Sequence, residues 1–157
     1  MIKSTRIICC FLCAVVGISF GFSQSIPDKT NEEDYEKLKV NYRVFPLDSV
    51  SALSKTSRYL LMAKQRNDTV RLMEGYHTMS NITPIDEAFQ YADSLILMAR
   101  ANENHKSFLA QGNLQKGRMF YRISRYAAAL DYYFAALKAS DGKDLAMEAG
   151  INFNIGL

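Results

Sequence analysis

The chain has 157 residues, enough for one modest domain or about three to four helical hairpins. Hydrophobic residues at 48% and charged residues at 22% exclude a wholly disordered polymer. The formal net charge is +3, two units of which are Lys3 and Arg6, so the balance gives no reason to invoke a nucleic-acid partner.

Lys3 and Arg6 precede an uncharged apolar run of 16 residues, Ile7 to Phe22. The run is short for a membrane-spanning helix of about 20 residues. It ends in Gly21-Phe22-Ser23, with small residues where a signal peptidase reads them, so residues 1–23 are expected to be a signal peptide cleaved before Gln24. An uncleaved membrane anchor is the competing reading. Cys9, Cys10 and Cys13 all lie in that run, so a mature chain would hold no cysteine, no disulfide and no thiol nucleophile or zinc knuckle. Residues 24–46 are polar, charged and bracketed by Pro27 and Pro46. They read as a linker, with one short helix around Glu32 to Tyr42.

From residue 47 onward the fold class reads as all-α, because neither sustained period-two alternation nor a hairpin dipeptide occurs. Helices are expected near 48–66, 68–81, 84–101, 104–123, 125–140 and 143 to the end. Ile85, Phe89, Ala92, Ile96 and Ala99 share one helix face, and Tyr126, Leu130, Tyr133 and Leu137 share another. Thr83-Pro84-Ile85-Asp86 opens the third helix with Thr83 as the expected cap. The short connections require neighbours to pack antiparallel.

The chain also repeats itself. Ala63-Lys64, Ala99-Arg100 and Ala139-Ser140 each end a long helix before a polar turn, 36 and 40 residues apart. Ser80, Gly117 and Gly156 form a second set of small residues, 37 and 39 apart. Between Ala110 and Ser140, Gly117 and Phe120 of one helix are followed by Tyr126 in the turn, then by Ala129, Tyr133 and Ala136 of the next. Small residues are needed where two helices cross closely, and aromatic groups fill the space beside the crossing. This pattern resembles the tetratricopeptide repeat, whose unit is about 34 residues. Asn113, Lys116 and Asp141 depart from that family's pattern, and Ser80 to Ala88 is a shortened turn of 8 residues where Gly117 to Ala129 takes 12.

The resemblance implies an antiparallel helix-hairpin solenoid over 47–157. Asn152 to Leu157 match the start of a further repeat with Gly156 at its small position, so the array is expected to be truncated there, with an apolar end open to self-association. With its N-terminal signal, the chain resembles the exported sensor regions of Bacteroidetes transcriptional regulators and histidine kinases. Those proteins place the repeats in the periplasm and, beyond them, a membrane span and an output domain. A free periplasmic or surface scaffold is the alternative. Membrane association is expected only through an uncleaved N-terminal segment or a missing C-terminal part.

No catalytic constellation is legible, and neither a metal nor a cofactor is expected. His77 and His105 lie in different helices without convergent partners, and no serine sits in a nucleophile elbow. Arg100, Lys106, Lys116, Arg118, Arg122 and Arg125, interleaved with Phe120, Tyr121 and Tyr126, admit three readings. They form a solvated face, a surface for single-stranded nucleic acid, or part of a protein-binding groove. The family resemblance favours the last. It points Gln111, Arg118, Tyr121 and Arg122 into the concave groove, where guanidinium groups suit an acidic peptide or a terminal carboxylate.

Overall fold

In a computed structural model, residues 29–43, 48–101, 103–140, 142 and 144–156 are described. The expected signal segment, and the linker up to residue 28, lie outside them. The described residues form seven α-helices and no strand: α1 (Lys29–Leu38), α2 (Ser49–Gln65), α3 (Thr69–Ile82), α4 (Ile85–Arg100), α5 (Lys106–Arg122), α6 (Tyr126–Ala139) and α7 (Leu145–Ile155). A single 3-10 turn, Glu103–His105, leads into α5.

Helix ends follow local chemistry. Asp48, Asp68 and Asp144 each accept a bond from the backbone N–H three residues on, at 3.2, 3.0 and 2.9 Å, which starts α2, α3 and α7. The α4 start differs from expectation. Thr83 does not cap it: its Oγ1 donates back to the Met79 carbonyl at 2.8 Å, closing α3, and Pro84 takes the N-cap position without a side-chain bond. Asn67 and Ser124 end the turns after α2 and α5 in the left-handed region, with φ of 53° and 61°. There the N–H of Asp68 reaches the Ala63 carbonyl and that of Arg125 reaches Phe120, both at 2.9 Å, which satisfies the last free carbonyls.

Each helix packs on the next, and α3 also touches α5 directly. Contacts run in opposite order along each pair. Leu60 meets Gly75 while Ala63 meets Leu72, and Leu114 packs with Ala136 while Gly117 meets Tyr133. Neighbours are therefore antiparallel. The core is a chain of small clusters between successive helices, such as Met73, Leu95 and Ala99 between α3 and α4. Ala88, Ala92 and Met119 join α4 to α5, and Leu114, Ala129, Tyr133, Ala136 and Ile151 join α5, α6 and α7. The helix-ending alanines Ala63, Ala99 and Ala139 are all buried.

The segment expected to be a linker contributes a docked helix. Tyr35 is 3% exposed, its ring edge-on to Tyr59 at 4.9 Å, with the Arg66 and Arg71 guanidinium groups 5.2 and 5.3 Å from its centre. Arg71 reaches both oxygens of Glu32 at 2.5 and 2.6 Å and Glu74 at 2.8 Å, and Glu74 also accepts the Tyr59 hydroxyl. One half-buried arginine thus ties α1 to α3 and, through Glu74, to α2. Burial works against its charge, but the two carboxylates outweigh that and hold it firmly protonated.

Candidate functional site: a groove across the odd-numbered helices

Residues at i, i+3, i+4 and i+7 share a helix face, so Gln111, Leu114, Gln115 and Arg118 form one stripe along α5. On α3 the corresponding stripe is Glu74, His77 and Thr78. The α3–α5 contact brings the stripes side by side. A polar bridge crosses between them: Gln115 donates to the Asn81 side-chain oxygen at 2.5 Å, and Asn81 donates to the His77 carbonyl at 2.7 Å.

Two cavities open along this face and share His77 and Gln111. The first, about 330 Å³, lies between Thr56 and Tyr59 of α2, the α3 stripe, Phe108 of α5 and residues 38–40. The second, about 320 Å³, lies between α3, α5, Tyr42 and Arg43, with Asp144, Ala146, Met147 and Gly150 forming its α7 side. Together they trace a groove across α3, α5 and α7.

His77 sits where the cavities meet. Burial, reinforced by the positive fields of Arg43 and Arg118, lowers its pKa from 6.5 to about 4, so the imidazole is neutral at physiological pH. The ring of Tyr42 stands edge-on to it at 5.8 Å and 87°. Two guanidinium groups thus converge near an uncharged ring. Asp144 borders the same cavity, but its carboxylate caps α7, and no ion pair joins it to either arginine among the described residues. Chemically, the groove offers hydrogen-bond donors, two cations and apolar walls. No group of three His, Cys, Asp or Glu among the described residues is placed to hold a metal.

Of the four residues expected in the groove, Gln111 and Arg118 line it together. Tyr121 and Arg122 line neither cavity; both are exposed near the end of α5, and the Tyr121 ring packs edge-on to Tyr126 at 5.3 Å. His77, Gln115, Tyr42 and Arg43 line the groove without having been singled out for it. The only sequence signal for the last two was the apolar alternation Leu38, Val40, Tyr42 in a stretch dominated by charge.

The expected repeat positions fall as follows. Ser80, Ala88, Gly117, Ala129, Tyr133 and Ala136 are buried at helix contacts. Phe120 is half-buried, stacked on Tyr132 at 5.2 Å and edge-on to Phe89 at 5.0 Å. Tyr126 is exposed and begins α6. Gly156 is not at a crossing: it ends α7 with φ of 88°, a left-handed cap that glycine takes without strain, and nothing lies within 4 Å of where a Cβ would stand. Asn113 and Lys116, the two departures from the family pattern, are accommodated locally. The Asn113 amide bonds back to the Leu109 carbonyl at 2.9 Å. Lys116 meets Asp93 at 2.7 Å and lies over the Tyr132 ring at 4.6 Å.

Comparison with protein-family models, with curated proteins and with solved structures finds no match to this chain.

Proposed function

We propose that the chain is a tetratricopeptide-type scaffold that binds another polypeptide along the α3–α5–α7 face. The observation that carries this reading is the groove itself, two adjoining cavities lined mainly by α3, α5 and α7 with polar and apolar side chains, to which α2 adds Thr56 and Tyr59 at one end. The repeat supports it. Gly75 and Gly112, 37 residues apart, each face the preceding even-numbered helix so closely that a Cβ would press into Leu60 or stand 2.7 Å from Ile96. Ser80 and Gly117 recur at the same 37-residue interval. Helices that recur with a common crossing stack in one direction, and stacking leaves every second helix on a shared surface.

The signal-like N-terminus extends the proposal to export and, by family resemblance, to a sensing role in the periplasm. N-terminal sequencing of the protein from a membrane-free fraction tests export: a chain beginning at Gln24 supports it, and one that retains Met1 removes it.

A photo-crosslinking amino acid at Gln111 or at Leu97 tests the binding face. Leu97 is 74% exposed on α4 and lines neither cavity. A discrete heteromeric adduct from position 111 and none from position 97 is the expected result. Equal labelling from both positions, or none from either, removes the groove as the binding face.

A further inference from the structure

The chain leaves α1 at Leu38 and runs along the groove without regular structure through residues 39–41, turning at Tyr42 and Arg43. Burial alternates along this stretch. Leu38, Val40 and Tyr42 are partly buried, whereas Lys39, Asn41 and Arg43 are exposed. A period of two is the pattern of a peptide lying lengthwise on a surface, with alternate side chains turned inward. Leu38 and Val40 border the first cavity, and Tyr42 sets its ring against His77 at the border of the second.

We propose that residues 38–43 are an internal ligand of the groove, and that its external partner is an irregular or extended peptide with apolar side chains at alternate positions, ending in an aromatic ring. The inference rests on the α3–α5–α7 face being a binding groove. Four features of the structure give the partner this chemistry. The seated segment is itself apolar at every second residue. The face it lies on presents Thr56, Tyr59, Phe108 and Leu114. Unfilled volume borders both halves of the segment, about 330 Å³ beside residues 38–40 and about 320 Å³ beside residues 42–43, so a longer peptide following the same path gains contacts that the internal one does not make. Arg118 of α5 lines the second cavity, where the seated peptide turns, and a partner with a carboxylate at that point would find its guanidinium group.

The internal segment is held by α1, and α1 is held by Tyr35 and by the Arg71 pairs with Glu32 and Glu74. This clasp lies away from the second cavity. Occupancy of the groove by its own chain lowers the apparent affinity for any competing peptide by the fraction of time the groove is uncovered. A segment seated about nine-tenths of the time weakens binding about tenfold.

The test uses the full chain and a fluorescent synthetic peptide with the sequence of residues 36–43. Val40→Ser with Tyr42→Ser unseats the internal segment without touching α3, α5 or α7. Fluorescence anisotropy should show that this variant binds the peptide about tenfold more tightly than the parent chain. A peptide carrying the same two serines should not bind the variant. Equal affinity of parent and variant for the peptide, or no binding to either, overturns the proposal.

A second measurement on the unsubstituted chain keeps the test independent of the variant's folding. Excess peptide should move the Val40 methyl resonances toward their unfolded positions as the internal segment is displaced. Resonances that stay fixed at saturating peptide contradict the proposal. If the Gln111 crosslink forms while the peptide fails, the groove stands and only its assigned ligand falls. If the peptide binds and no crosslink forms, the external partner is the part that fails.

Discussion

Gly117 of α5 lies against the ring of Tyr133 of α6, so close that a Cβ there would overlap Cδ1 and Cε1 of the tyrosine and stand 3.2 Å from the Ala129 carbonyl oxygen. Tyr133 is 2% exposed and Ala129 1%. The ring has no room to retreat, because Leu114, Ala136 and Ile151 close the same cluster. This close crossing therefore depends on a residue with no side chain.

Substitution at that crossing should be costly. Gly117→Leu and Ala129→Leu each overpack a closed cluster and should destabilise the chain by about 1–3 kcal/mol or more, read from urea unfolding. Gly150→Ala is the control, since nothing lies within 4 Å of its would-be Cβ. Alanine also has the better helix propensity, so the control should be neutral or stabilising by up to about 1 kcal/mol. Equal midpoints for Gly117→Leu and the parent chain would remove the close crossing from the account.

Ser124 occupies the left-handed region at φ 61°, where an L side chain crowds its own backbone. Ser124→Gly should relieve this and raise stability by up to about 1 kcal/mol, seen as a higher melting temperature. A lower melting temperature would mean that the serine side chain makes a compensating interaction.

The Tyr35 hydroxyl is buried without a hydrogen-bond partner among the described residues. A buried unsatisfied hydroxyl costs about 1–3 kcal/mol, while the ring supplies the packing on Tyr59 and the cation–π contacts. Tyr35→Phe should therefore leave stability equal or improved, and Tyr35→Ala should loosen α1. Hydrogen exchange in 29–38 separates the two variants: protection is kept in the first and lost in the second.

His77 gives the fold a pH dependence with a definite sign. Folded, it titrates near 4; unfolded, near 6.5. Between these values the unfolded chain binds the extra proton, so stability is complete above pH 6.5 and declines as pH falls toward 4. The decline attributable to this one group amounts to about 3 kcal/mol. His77→Gln should flatten the profile in that window. The lowered carboxylates Glu36 and Glu103 act below their ordinary value of 4.5, which leaves most of the window to the histidine. An unchanged slope between pH 6 and pH 5, measured on both chains, would show that His77 is not buried as described.

Helix boundaries were legible because apolar spacing and turn composition act locally. Each of the six helices expected from residue 47 onward has an observed counterpart whose ends differ by at most two residues, whereas the short helix expected around Glu32 to Tyr42 runs Lys29–Leu38 instead. Thr83 was misread because two local options competed for one hydroxyl, and closing α3 won over opening α4. The groove was half legible. Gln111 and Arg118, expected there from the family resemblance, border it, but Tyr121, expected on the same ground, packs instead against Tyr126. The docking of α1 was not legible. It depends on Arg71, 39 residues from Glu32, and on Tyr35 finding Tyr59, and long-range pairings of this kind leave no periodic trace in a charged stretch. Gly75 and Gly112 were readable in principle, as a second pair at the 37-residue interval already marked by Ser80 and Gly117.

Competition at Gln111 tests the binding face most directly. With a photo-crosslinking residue at that position, the partner adduct should form in the full chain and fade as the 36–43 peptide is added, while a peptide carrying serine at positions 40 and 42 leaves it intact. An adduct that persists unchanged at saturating 36–43 peptide would contradict the claim that partner and internal segment share the α3–α5–α7 groove.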